Sequence, residues 1–428
     1  MIYAGFLVLL CFAMMFSKHE KRLWGSAKTP FAFVVYPFLG LLFIAVFIAP
    51  SMGFRSLHVE TILVIGLFFA LFAIASVSLA RIAGERALAP SRLEALGARL
   101  SSAGEEHAVT NLEYLILGGI FLFLFGASIA SRGIGVVEKG MLGVGGFESH
   151  LIGLGVAYLV VAASQLRGQR VVRIAYALLI LWVLAINQVK YLIFVPLAGA
   201  LLYRWVSGQL STWKVAVLAV GAPLMLGVAV YAYFGVSAAV AGVALTTTLV
   251  RQLTWHLIGY LVAGIIGLDQ LLLEMQTVAF GGGGLGYAFA PFVNIARFIV
   301  GAGDYVNTVN PLYLIIHSSD LIDSNVFTVF GSLLYRGGWV GAVSLTLAYA
   351  LVSYWIWTRW RMRESALSCA AGTWWMAPLL FTWFDPYFTS FSVIEIMVIL
   401  SVRGSVRIPR LMRRAPSAAA ETSSAPVY

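Results

Sequence analysis

Apolar runs close to the length of a membrane-crossing helix recur along the chain. They lie at about 2–17, 31–50, 59–80, 112–130, 150–166, 171–187, 191–206, 215–234, 337–358, 367–384 and 386–402. A helix needs roughly 20 apolar residues to cross the hydrocarbon core. In lipid every backbone N–H and C=O must be paired within its own segment, so such runs fold as helices. Only 11% of the 428 residues are charged, against roughly 25% in a soluble domain. A water-soluble enzyme is excluded. The reading is an all-α polytopic membrane protein with about 11 transmembrane helices, up to 13 if 252–300 forms a spanning hairpin.

The organisation follows from the spacing of the runs. Residues 1–234 hold helices 1–8, 235–336 form a large periplasmic or re-entrant segment, and 337–402 hold helices 9–11. Residues 403–428 read as a basic, disordered cytoplasmic tail. Cys11 and Cys369 lie inside apolar runs, which offers neither a disulfide framework nor a cysteine metal site. The first run reads as an anchor and not as a cleaved leader, because Lys18, Lys21 and Arg22 follow it.

The net charge of +10 is a topology signal. With the N-terminus outside, 21 of the 28 Lys and Arg fall on the cytoplasmic side. The other seven are Arg55, Arg132, Lys139, Lys190, Arg251, Arg297 and Arg336. That bias follows the positive-inside rule and places the N-terminus outside and the C-terminus in the cytoplasm. Because the charges punctuate apolar runs, nucleic acid is not an expected partner. Membrane lipids are. The loop 81–111 alternates Arg, Glu, Leu and Ala and reads as an amphipathic surface helix.

Function is therefore sought between spans eight and nine. Segments 252–272 and 280–300 are apolar enough to enter the membrane, yet a spanning hairpin would turn at Glu274-Met275-Gln276-Thr277, which has no basic residue. They read as re-entrant or interfacial helices broken at Gly281–Gly284, a bend and not a phosphate loop. The most polar stretch runs from His317 to Asn325 and leads into Thr328, Tyr335 and Arg336. Arg251 opens an apolar helix with Trp255 and Ile258 on its own face and His256 and Tyr260 adjoining. It is either a snorkelling anchor or an anion site, since the guanidinium fork matches phosphate. Arg297 poses the same choice, as does Lys190, held in the short break Asn187-Gln188-Val189-Lys190-Tyr191.

At these residues the sequence resembles the O-antigen polymerase family, the polytopic oligosaccharide repeat-unit polymerases of the bacterial inner membrane. Lys190-Tyr191-Leu192-Ile193-Phe194 resembles their basic helix start, and Arg251 their Arg opening a later segment. Asn325-Val326-Phe327-Thr328, Tyr335 and Gly338 to Gly341 resemble an Asn-x-aromatic-Thr element followed by a Gly-x-x-Gly helix start. Arg336 stands where some members carry an acid.

The resemblance implies polymerisation of undecaprenyl-pyrophosphate-linked oligosaccharide at the periplasmic face, with a chain-length regulator protein as a candidate partner. The departing pyrophosphate needs its growing charge neutralised. No Asp-x-Asp occurs in the chain, so no metal or cofactor is expected, and preorganised cations take that role. Lys190, Arg251, Arg297 and Arg336 are the candidates, with Asn325, Thr328 and Tyr335 lining the same site. For the base, the candidates are His317, Asp320 and Asp323, with His256 behind them. Two rival readings are a lipid-linked sugar transporter or flippase and an O-antigen ligase. No repeat supports the first, and Glu395 is the only charge deep in one of the eleven runs. Ligases typically carry a His-Asn pair, and none of the six histidines here precedes an Asn.

Overall fold

The structure is a computed structural model. It describes residues 1–84, 111–132, 147–164, 170–186, 190–212, 214, 247–275, 284–302, 306, 311–319, 322–362, 366–384, 387–389 and 391–405. The expected span at 215–234, the loop 85–110, Asp320, Gly281–Gly283 and the tail from 406 lie outside the described residues.

The chain is mostly helical. Helix α1 (Ile2–Trp24) stops at Gly25, whose φ of 64° favours glycine. Thr29 caps α2 (Pro30–Phe43), accepting from the Ala32 N–H, with Pro30 at the first helical position. The chain continues through a π-turn and a 3-10 turn to Met52. There follow α3 (Val59–Ala83), α4 (Asn111–Arg132), α5 (Phe147–Ser164), α6 (Arg170–Ile186) and α7 (Lys190–Val206). Helix α8 (Thr247–Glu274) leads to the short α9 (Gly284–Ala288) and to α10 (Ala290–Ile299). The chain closes with α11 (Val329–Arg361), α12 (Ala366–Met376) and α13 (Phe391–Ser405).

Among the described residues five helices are long and apolar enough to cross a membrane: Ile2–Trp24, Pro30–Met52, Val59–Ala83, Leu257–Glu274 and Val329–Arg361. The helical class expected from sequence holds, with one two-residue strand pair beside the helices. Strands β1 (Leu314–Ile315) and β2 (Asp323–Ser324) pair antiparallel, Leu314 opposite Ser324.

The outer surface is apolar as well as the core. Leu7, Val8, Leu63, Phe123, Val171, Leu178 and Trp355 are exposed, whereas Glu20, Thr29, Thr61, Ser76 and Asp269 are buried. Apolar side chains turned outward suit a lipid solvent, and the polar groups inside must satisfy one another. One apolar cluster joins α1, α2, α3, α8 and α11. A second joins α4, α5, α6, α7, α12 and α13.

Helix α11 is two helices across a kink. Gly338 has φ 63° and ψ −171°, a conformation that excludes most side chains. The long straight part thus begins at Trp339, two residues after the start expected for the ninth span.

Side-chain bonds show which loops share an end. At one end the Arg361 guanidinium donates to the Trp24 carbonyl (3.1 Å) and Lys28 Nζ to the Trp205 carbonyl (2.8 Å). These loops are the ones whose charge count is high, and we term this the basic end. At the other end Met52–His58 meets the β1–β2 hairpin, the hairpin end. In the second cluster Arg403 pairs with Glu113 at 2.8 Å. Glu395, the acid expected deep in a span, bonds His150 Nδ1 at 2.8 Å.

Candidate functional site

The hairpin end is assembled from four pieces distant in sequence. Gly53 ends the 49–52 turn with φ 92°, and the His317 ring lies where its Cβ would be. Only glycine allows that approach. Phe54 bridges to His317, the Arg55 N–H donates to the Ile316 carbonyl and the Ser318 N–H to the Gly53 carbonyl. The loop thereby extends the hairpin by one strand-like edge. Helix α8 runs along this layer. Its Trp255 ring sits 4.7 Å from the His317 ring, and Gly259 faces Phe54 and Ile322. Further along, Gly264 and Gly267 touch the backbone oxygens of Trp383 and Val326. Helix α8 also shares the apolar core with α2, α3 and α11, and its Leu257–Glu274 part is one of the five stretches long and apolar enough to cross a membrane.

Two consecutive residues of α8 then reach loop 55–58. Asp269 is fully buried. Its Oδ1 accepts from the His58 N–H (2.7 Å) and the Thr61 hydroxyl (2.6 Å). Its Oδ2 accepts from His58 Nδ1 (3.0 Å) and Gln270 Nε2 (3.1 Å). The Gln270 carbonyl oxygen in turn accepts from Arg55 Nη1 at 2.7 Å. A carboxylate offers about four lone-pair sites, and here all four are used. Sequence reading missed this group, because Asp269 fell in a run not counted among the eleven spans. The signal was present: an acid inside an apolar helix is a functional-site candidate on cost alone.

The expected site residues are distributed as follows. The exposed Arg251 lays its guanidinium over Trp255, 4.6 Å from the ring centre. Arg336 lies over Tyr287 (5.0 Å) and Tyr335 (5.7 Å). Tyr335 packs with Phe327, Leu271 and Leu314. Arg297 is half-buried in the last turn of α10, and Lys190 opens α7. Thr328 is buried and caps α11, its hydroxyl accepting from the Gly331 N–H at 3.1 Å, while its own N–H donates to the Gly264 carbonyl. Its role is structural. Asn325 is half-buried between β2 and α11, and Asp323 is exposed on β2. Asp320 and the His256 side chain lie outside the described residues.

His317 does not have the geometry of a base. It is 2% exposed, Nε2 donates to the Met52 carbonyl (3.0 Å), and Nδ1 accepts from the Ser319 N–H (3.1 Å) and hydroxyl (2.6 Å). With both nitrogens engaged, the ring ties the 49–54 turn to the hairpin.

A family model matches residues 53–407, which include the turn at Gly53, α8 and the hairpin. The chain belongs to DUF6337, a family of unknown function. No curated protein and no solved structure matches it. The chemical inventory of this chain's hairpin end is guanidinium groups seated on aromatic rings, and a buried carboxylate holding a histidine and, through Gln270, an arginine. Among the described residues no three of His, Cys, Asp and Glu come together as metal ligands would.

Proposed function

We propose that this chain is a membrane glycosyltransferase that joins undecaprenyl-pyrophosphate-linked oligosaccharide units at the hairpin end, and that this end faces the periplasm. The observation that carries the reading is the guanidinium seated on an aromatic ring, found twice: Arg251 on Trp255, and, toward the other end of α8 beside Leu271, Arg336 on Tyr287 and Tyr335. A planar cation fixed by stacking presents its N–H fork at low entropic cost, as a diphosphate leaving group requires. The aromatic rings beside it offer a face on which a sugar can stack, and the apolar outer surfaces of the bundle leave the polyprenyl tails in lipid.

The test uses the full chain reconstituted in lipid vesicles with undecaprenyl-pyrophosphate-linked oligosaccharide. Wild-type protein is expected to lengthen the oligosaccharide. Arg251→Ala is expected to slow elongation by about 10²-fold or more while the protein accumulates normally, because an exposed cation–π contact contributes only about 0.5–1 kcal/mol. Elongation at the wild-type rate would remove Arg251 from the site.

The orientation has its own check. In a chain with Cys11 and Cys369 replaced by serine, Ser318→Cys on the exposed turn of the hairpin should react with an impermeant thiol reagent added outside the cell. Reaction only after the cytoplasmic face is opened would reverse the topology.

A second reading, a carrier of lipid-linked sugar, draws on Asp269, since ionisable groups in apolar helices often serve ion coupling. In the same vesicles a carrier would move labelled lipid-linked sugar between leaflets without lengthening it.

A further inference from the structure

We propose that His58 is the general base of the hairpin end and that buried Asp269 sets it in the working tautomer, with Arg55 held alongside. This rests on the glycosyl-transfer reading above and adds to it the residue that receives the acceptor's proton.

Asp269 Oδ1 already serves the N-terminus of α3, taking the His58 N–H and the Thr61 hydroxyl. A cap at that position needs only one oxygen. Oδ2 does something else: it meets His58 Nδ1 at 3.0 Å. A carboxylate can only accept, so Nδ1 must carry the hydrogen. The imidazole lone pair is then on Nε2, across the ring from Asp269. The His58 side chain is 50% exposed whereas Asp269 is 0% exposed. Among the described residues Nε2 has no hydrogen-bond partner. A half-exposed histidine whose Nδ1–H is anchored to a buried acid, leaving Nε2 on the opposite side of the ring, has the arrangement a base requires. His317 has the opposite one, with Nε2 spent on a backbone carbonyl.

Arg55 adds the cation. The next residue of α8, Gln270, accepts from Arg55 Nη1 at 2.7 Å and donates to Asp269. The Arg55 backbone is pinned to Ile316. Two adjacent helix residues therefore hold a histidine and an arginine of one short loop; Arg251 lies eighteen residues earlier on the same helix, roughly 27 Å along its axis, so Arg55 is the cation beside this base.

In the step assigned to this pair, the acceptor sugar hydroxyl gives its proton to His58 Nε2 as its oxygen bonds to the donor's anomeric carbon. The bond from that carbon to the pyrophosphate oxygen breaks, and the electron pair leaves on the lipid pyrophosphate. The resulting imidazolium is stabilised by Asp269 and returns its proton to water or to the released pyrophosphate. Asp269 is a positioning residue in this scheme, because it acts only through the ring.

Two measurements on the full chain in lipid decide the matter. Nitrogen-15 spectra of histidine-labelled wild-type protein should show His58 as the Nδ1–H tautomer. His58→Gln should lower the elongation rate about 10²- to 10⁴-fold with little change in the concentration of lipid-linked oligosaccharide needed for half-maximal rate. Asp269→Asn, where it folds, should lose the pure Nδ1–H signature, a change that a purely capping role would not produce. An Nε2–H tautomer in the wild-type protein, or wild-type elongation by His58→Gln, would overturn the proposal. If wild-type protein elongates nothing, the glycosyl-transfer reading fails instead, and the tautomer still decides whether His58 is held as a base.

Discussion

Gly264→Ala is expected to prevent the protein from accumulating in folded form, or to lower its stability by about 3 kcal/mol or more, at the upper end of overpacking effects. A Cβ at this position would stand 2.1 Å from the Trp383 carbonyl oxygen and 3.1 Å from the Phe384 Cα. Both are backbone atoms, so no rotamer change relieves the clash. Helix α8 cannot simply retreat, because the Gly264 carbonyl accepts the Thr328 N–H, and Asp269 and Gln270 hold loop 55–58 one to two turns further on. Gly267, one turn along, is in the same position against the Val326 carbonyl at 2.3 Å, and Gly267→Ala should behave alike. Thermal unfolding of the detergent-solubilised protein checks this. Gly341→Ala is the control: nothing lies within 4 Å of its Cβ, and that exchange in a helix should be neutral or stabilising by up to ~1 kcal/mol. If Gly264→Ala melts with the control, α8 does not approach those loops so closely.

Glu20→Ala should destabilise the basic end by about 3–5 kcal/mol. Glu20 is 1% exposed, and its carboxyl accepts from three hydroxyls: Thr29 (2.5 Å), Ser76 (2.9 Å) and Tyr354. Each of those oxygens also accepts an N–H, from Ala32, from the Trp24 indole and from Phe31 respectively. The direction of every hydrogen is thereby forced toward Glu20. One side chain joins α1 to α2, α3 and α11. Removing it leaves three buried O–H groups without acceptors, at roughly 1–3 kcal/mol each before relaxation. Glu20→Gln should cost less, because its amide oxygen still accepts, although its NH₂ faces hydroxyls that need an acceptor. The same melting experiment ranks wild type, Gln and Ala in that order, and equal melting of all three would refute the network.

Much of this arrangement was legible in the one-dimensional pattern. The apolar runs at 2–17, 31–50 and 59–80 became α1, the helical stretch to Met52 and α3. The polar stretch from His317 forms the turn and second strand of a hairpin, with Ser318 and Ser319 exposed. Arg251 and Trp255, one turn apart on an apolar helix, stack as their spacing allowed. These features depend on local rules: lipid demands internal backbone pairing, and helical periodicity places near neighbours on one face.

What the chain's order did not disclose is which polar groups meet. Glu20 finds Tyr354 at 334 positions' remove, and Asp269 finds His58 at 211. His317, prominent in the sequence as a base, is consumed by the Met52 carbonyl, while His58, set between a turn and an apolar run, is the half-exposed ring with Nε2 opposite its acid. No local signal separates the two. A buried acid is tolerable only where packing brings donors to it from other helices, so its partners, and with them the chemistry open to each histidine, are settled by how α3, α8 and the hairpin dock.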